Sequence, residues 1–272
     1  MLGEEHPQTL FSMYVVAMMF QHRGDLEQAE SLFREGLEIS LGVWGEEDSS
    51  TFRLRTGLAL NQFMRGAYAE AESAYKEILA LGSRKFGESS PFVRHSVDNL
   101  VQICHRQGRY EEAESYRRQA LEYSRRSQGE DSDGATALMA GLAETLFRKG
   151  DHAEAEALFL EALETAQNRE YPAAAALSNF GLARLFLTQG DAERADIHFN
   201  HALVFHEENE SAFGASEVAT SYALLGDHDM ALRELRRAVE LGHPRAWIAT
   251  EVDFAALHGN PEFEAILAEP TK

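Results

Sequence analysis

One short phrase recurs six times along this chain, and its spacing limits the possible folds more than any other feature. Each copy is a glycine followed five residues later by an alanine: Gly24 and Ala29, Gly66 and Ala71, Gly108 and Ala113, Gly150 and Ala155, Gly190 and Ala195, Gly226 and Ala231. The glycines are 42, 42, 42, 40 and 36 residues apart. A period of this length points to stacked units that each bury a face against a neighbour. Length alone, 272 residues, would instead suggest one or two globular domains.

The pattern on both sides of each glycine is helical. Seven residues before it stands a small or modest side chain (Ala17, Ala59, Val101, Ala143, Ala183, Ala219), preceded by an aliphatic one (Val16, Leu58, Leu100, Leu142, Leu182, Val218). These positions share one face of a first helix. Four residues after each alanine comes a large apolar side chain in five units (Phe33, Tyr75, Phe159, Phe199, Leu235), and three further on a small one in most (Gly36, Ala120, Ala162, Ala202, Ala238). That spacing makes one stripe of a second helix. In the third unit Arg117 replaces the aromatic, with Tyr116 beside it as the expected substitute. Glycine can end the first helix with φ > 0 at no Cβ penalty. Asp25, Asp151, Asp191 and Asp227 then stand where a carboxylate caps the second helix. An alanine-to-leucine change in the stripe should overpack it by roughly 1–3 kcal/mol.

This arrangement resembles the tetratricopeptide repeat (TPR). The 42-residue period is similar to the long repeats of kinesin light chain, as are the connectors Leu2-Gly-Glu-Glu-His6-Pro7, Trp44-Gly-Glu-Glu-Asp48, Phe86-Gly-Glu-Ser-Ser-Pro91 and Gln128-Gly-Glu-Asp131. The resemblance implies an all-α fold, a right-handed α-solenoid of antiparallel helix pairs. Six pairs are expected within residues 1–242, at about 6–48, 49–90, 91–132, 133–170, 171–208 and 211–242. Residues 243–269 resemble the closing module that follows the last repeat in TPR-tailed bacterial signalling proteins. Phe254, Leu257, Phe263, Ile266 and Leu267 are expected to cover the last repeat, leaving 270–272 as a tail. A connector at 2–7 with no repeat before it suggests the C-terminal portion of a longer protein.

Composition narrows function by exclusion. Acids outnumber bases 45 to 25, giving a formal charge of −20, which argues against nucleic-acid and anionic-membrane partners. The 39 alanines and 6 prolines suit helices. A single cysteine, Cys104, fits a reducing compartment and hence the cytoplasm, and reads as a buried, inert thiol. The longest strongly apolar run, Met13 to Phe20, is far shorter than the roughly 20 residues of a membrane span. No phosphate loop, His-Glu-x-x-His or nucleophile elbow occurs. His201 and His206 with Glu207 and Glu208 form the densest histidine and acid cluster and read as a solvated helix end, so neither a metal nor a cofactor is expected. His152 and His228 take the place of Tyr68 and Tyr110 and read as packing residues.

The resemblance places a ligand groove on the first helices. Its positions, ten and six residues before each glycine with their helical neighbours, include Tyr14, Met18, Arg53, Leu60, Phe63, His95, Asn99, Gln102, Arg106, Glu144, Phe147, Phe180 and Arg184. Gln21 falls among them. Asn99 matches the asparagine with which TPR grooves hold a peptide backbone. The Lys and Asn set that clamps chaperone tails is absent, with Tyr14 and Met18 in its place. Residues 51–150 hold 15 of the 25 bases, so an acidic or aromatic segment is expected to dock near Arg53, His95 and Arg106. The leading function is a non-catalytic scaffold that binds a peptide segment or helix of a partner protein. The alternatives are the sensor or docking region of a larger bacterial signalling enzyme, such as a serine/threonine kinase, and a hydrolase using His201 or Glu207. Self-association is left open.

Overall fold

The computed structural model of the protein describes residues 6–88, 90–249 and 251–268. The expected connector at 2–5, Glu269 and the 270–272 tail lie outside them, as does Ser89 of the third connector. The described residues form helices and turns with no strand. Six consecutive pairs of helices are α1 (Pro7–His22) and α2 (Leu26–Trp44), α3 (Ser49–Met64) and α4 (Tyr68–Phe86), α5 (Pro91–Arg106) and α6 (Tyr110–Gln128), α7 (Asp133–Lys149) and α8 (His152–Arg169), α9 (Pro172–Thr188) and α10 (Ala192–Glu208), α11 (Ala212–Leu225) and α12 (His228–Glu240). A short α13 (Arg245–Ile248), a 3-10 helix (Val252–Leu257) and α14 (Pro261–Ala268) follow. The fold is an all-α solenoid.

The chain divides into two compact units between α5 and α6, the first ending at Arg109 and the second starting at Tyr110. In the first unit each helix packs on the next, and α1, α3 and α5 also touch in succession. In the second unit α7, α9 and α11 touch in the same way, and the 3-10 helix packs on α11. First helices therefore form one layer of each unit and second helices the other.

The turn chemistry explains the helix ends. All six repeat glycines have positive φ, from 69° at Gly108 to 98° at Gly150, so a side chain there would be strained. Asp25, Asp191 and Asp227 accept from the backbone N–H groups of Gln28, Arg194 and Met230. Asp151 departs from the expected cap, because Lys149 takes its carboxylate at 2.8 Å. The acids that follow each alanine tie one turn to the next. Arg65 pairs with Glu30, Arg109 with Glu72 at 2.6 Å and Lys149 with Glu114 at 3.0 Å. The Arg109 hydrogen bond holds the Glu72 carboxyl below its usual range.

Packing between pairs depends on a position the repeat phrase does not contain. Nine residues before the turn glycine, α3, α7 and α9 carry Gly57, Gly141 and Gly181. The rings of Phe33 and Phe159, from the preceding second helices, fill the space where Cβ atoms of Gly57 and Gly181 would stand. At Gly141 the filler is the Arg117 guanidinium, whose Cζ would lie 3.2 Å from such a Cβ. Arg117 thus occupies the aromatic's place itself, where Tyr116 had been expected to compensate. The C-terminal module buries Phe254, Leu257, Phe263 and Ile266 against α11 and α12 residues such as Ala219, Leu232 and Leu235.

Gly57→Ala and Gly181→Ala each gain up to about 1 kcal/mol of helix propensity and lose roughly 1–3 kcal/mol by displacing a buried ring. Both variants are expected to unfold at lower urea concentration than the parent chain. Unchanged midpoints would show that these rings yield without cost.

Candidate functional site: the first-helix faces

In the first unit the face of α1, α3 and α5 gathers aromatic rings and arginines. The Arg53 guanidinium lies 5.6 Å from the Phe11 ring centroid and 6.0 Å from that of Tyr14. Tyr14 in turn tilts against Phe33 at 6.1 Å, and burial pushes its hydroxyl pKa up, with Arg53 opposing. Met18 packs beside Tyr14 on the cluster of Ala17, Phe33, Leu54 and Leu58. Leu60 is half-buried. Arg106 of α5 lies over Phe63 of α3 at 5.8 Å. His95 and Gln102 are exposed on α5.

Three of the expected contacts face inward instead. Phe63 is only 3% exposed and packs on Tyr68, and Asn99 is 8% exposed. Asn99 stands nine residues before its turn glycine, the register of the buried glycines, and its Nδ2 donates to the His95 carbonyl at 2.8 Å. Gln21 is also buried, and its Nε2 donates to the Gly57 carbonyl and to Asn61 Oδ1 at 3.4 and 3.5 Å. Gln21 thus joins α1 to α3, whereas the Asn99 bond stays within α5. Phe11, by contrast, was not singled out from the sequence and is 53% exposed beneath Arg53. Its spacing from Tyr14, three residues along one helix, was the available signal.

In the second unit the same face carries a dense ion network. Arg184 on α9 reaches Glu144 on α7 at 2.5 Å and Glu217 on α11 at 3.4 Å. Arg148 on α7 binds Glu144 at 2.7 Å, Glu251 at 3.2 Å and Asp253 at 3.6 Å. Four carboxylates thus surround two guanidiniums. Burial disfavours the Arg184 charge, but Glu144 and Glu217 outweigh it and hold its pKa up. Burial pushes the carboxyls of Glu217 and Asp253 up, against the pull of Arg184. Glu144 and Arg184 were expected on this face, whereas Arg148, Glu217, Glu251 and Asp253 were not. Phe180 is buried against Phe199, and Phe147 stacks on His152 at 5.4 Å.

The histidine and acid cluster is not uniformly solvated. His201, Glu207 and Glu208 are exposed, but His206 is 3% exposed, and its ring fills the space beside Gly214. Neither ring nitrogen has a hydrogen-bond partner among the described residues. The helix turns His206 toward α11 while its neighbours face water. No group of three or more His, Cys, Asp or Glu among the described residues is placed to hold a metal ion. Cys104 is buried. No helix among the described residues is long and apolar enough to cross a membrane.

Comparison with known proteins settles the family. The family profile described as tetratricopeptide repeat matches residues 12–84, 50–126, 93–168 and 135–208, and a second of the same description matches 219–237. The chain belongs to the tetratricopeptide repeat family. TPR proteins are typically non-catalytic scaffolds for protein–protein interaction. Among solved structures the chain is similar to BtubC (BKLC) from P. vanneervenii, with 24% identity over 74% of this chain and 81% of that one, at a TM-score of 0.61. A Podosopora anserina protein described as a kinesin light chain with nearly identical TPR-like repeats gives 19% identity, 76% and 99% coverage and a TM-score of 0.60. A Rap protein complexed with Competence and Sporulation Factor gives 14%, 94% and 72%, and 0.65. These likenesses show the shared fold. No curated protein matches the chain at a significant level.

His206 of this TPR chain makes a pH prediction. Burial, aided by Arg237, pushes its pKa below the usual value, while Glu234, Glu210 and Glu207 oppose the shift. Unfolding frees the ring to take a proton, so its contribution to stability is present above about pH 6.5 and is lost as the pH falls below that. His206→Phe should therefore gain stability relative to the parent between pH 7.5 and pH 5.5, measured by urea unfolding. An equal difference at both pH values would contradict the assignment.

Proposed function

We propose that the first-helix face of the first unit binds an extended acidic–aromatic segment of a partner protein, and that the chain is a non-catalytic interaction scaffold. The observation that carries this reading is the state of Arg53. It lies over Phe11 and Tyr14 and has no carboxylate partner among the described residues. Its counterparts in the second unit, Arg148 and Arg184, are already paired. A guanidinium stacked on rings keeps its hydrogen-bond donors free for a carboxylate, and such charge-assisted bonds are about twice as strong as neutral ones. The half-exposed Phe11 and Tyr14 rings give an aromatic ligand side chain an apolar seat. Met18, Leu60, His95, Gln102 and Arg106 extend the same face along α1, α3 and α5, and Phe63 and Asn99 are buried behind it. The Rap protein complexed with Competence and Sporulation Factor lends support by fold alone, as a related scaffold holding a factor.

A fluorescein-labelled peptide rich in Asp, Glu and Phe should bind the whole chain. Arg53→Glu combined with Arg106→Glu should weaken that binding at least ten-fold, read by fluorescence anisotropy. Unchanged affinity would sink the reading.

A further inference from the structure

On α3, four positions meet the helix pair before it. Leu54 lies beside Gly36, Gly57 takes the Phe33 ring, Leu58 joins the cluster of Ala17 and Phe33, and Asn61 Nδ2 donates to the Leu26 carbonyl at 2.9 Å. These residues stand twelve, nine, eight and five before the turn glycine. The same positions are buried on α5, as Ser96, Asn99, Leu100 and Ile103, and on α9, as Ser178, Gly181, Leu182 and Leu185. On α1 they are Ser12, Val15, Val16 and Met19, and all four are exposed, Val15 by 39%, Val16 by 41% and Met19 by 50%. A repeat face that stays in water needs polar side chains. This one is apolar at three positions of four.

We propose that this face of α1 is a self-association surface, on which a second copy of the chain packs its own α1 antiparallel across a two-fold axis near Val15 and Val16. Charge selects that occupant. Pro7–His22 contains no Asp, Glu, Lys or Arg, in a chain whose formal charge is −20, so two copies meet here with no like charges in the contact. Gln8, Ser12, Val15, Met19 and His22 follow the alternating spacing of four and three with which two helices pack side by side, and all five are exposed. In an antiparallel pair centred between Val15 and Val16, Met19 of one copy meets Ser12 of the other, a long side chain over a short one. The Ser12 hydroxyl already donates to the Gln8 carbonyl at 2.8 Å, so covering it leaves no donor unmet. Phe11 stands between this face and the one that carries Tyr14 and Met18, at the rim of the contact. A helix pair of the repeat's own kind fits less well. At Gly57 and Gly181 a ring enters the space beside the backbone, whereas Val15 fills that space with a branched side chain. Head-to-tail stacking is blocked as well, because Phe254, Leu257, Phe263 and Ile266 of the same chain cover α11 and α12. The pairing therefore closes at two copies.

Sedimentation equilibrium of the whole chain over a dilution series should give twice the monomer mass at high concentration and the monomer mass on dilution. Val15→Glu combined with Met19→Glu should raise the dimer dissociation constant at least ten-fold and leave the far-ultraviolet circular dichroism of the parent unchanged. A parent chain that stays monomeric throughout would overturn the proposal. So would a dimer that the two glutamates leave intact, or a mass that grows beyond two copies. If the double variant fails to fold, cysteine trapping decides. Val15→Cys should give a disulfide-linked dimer under copper phenanthroline and air, read on a non-reducing gel, because the two thiols meet beside the axis. Leu160→Cys, at an exposed position of α8, should not, and Cys104 is buried. No link through residue 15, or equal linking at both positions, overturns the proposal.

Discussion

The structure depends on an aromatic ring from one helix pair entering the space left by a glycine in the next. Phe33 over Gly57 and Phe159 over Gly181 bring the two helix backbones together, and Arg117 over Gly141 shows that a flat guanidinium can serve in place of a ring. Protein interiors are packed near crystal density, so such a fit fixes the rotation of each first helix about its axis. That rotation then decides which side chains point to the open face. Gly57, Asn99 and Gly181, nine residues before the glycine, turn inward, whereas Val15 at the same offset on α1 is 39% exposed, and Tyr14, Met18, Leu60 and Gln102, at ten or six before it, meet solvent to differing degrees.

The two units use similar faces in opposite electrostatic states. On the first, Arg53 and Arg106 lie over rings. On the second, Arg148 and Arg184 are enclosed by Glu144, Glu217, Glu251 and Asp253. A half-buried arginine such as Arg53, lying on aromatic rings without a carboxylate partner among the described residues, keeps donors that a new carboxylate can use. A buried arginine already holding two acids offers a ligand nothing until one of those acids leaves. The acid excess of the chain also acquires structural roles, in the turn-to-turn pairs of Glu30, Glu72 and Glu114 and in this network.

Much of the fold was legible because local rules govern it. The glycine and alanine phrase, the aromatic four residues on and the Asp caps located the helix ends, since each depends on contacts within a few residues or with the adjacent pair. The site was legible only in part. Tyr14, Arg53 and Arg106 fell on the open face as their register implied, but Phe63, Asn99 and Phe180 are buried. A six- or nine-residue offset alone does not reveal how far a helix is turned by the ring behind it. The Arg148 contacts with Glu251 and Asp253 could not be read at all, because they join residues about a hundred positions apart through the path of a non-repeating segment. His206 was misjudged for a related reason: its acidic neighbours are exposed, yet its own ring packs beside Gly214.

The central claim is that the first-unit face is open to an acidic–aromatic segment of a partner, while the arginines of the second are already paired. Photo-crosslinking tests it most directly, with a peptide of alternating acidic and aromatic residues carrying a benzoylphenylalanine, added to the whole parent chain and mapped by mass spectrometry. The account predicts crosslinks between residues 11 and 18 of α1 and between 53 and 60 of α3. Crosslinks confined to α7 and α9, with none on α1 or α3, would contradict it.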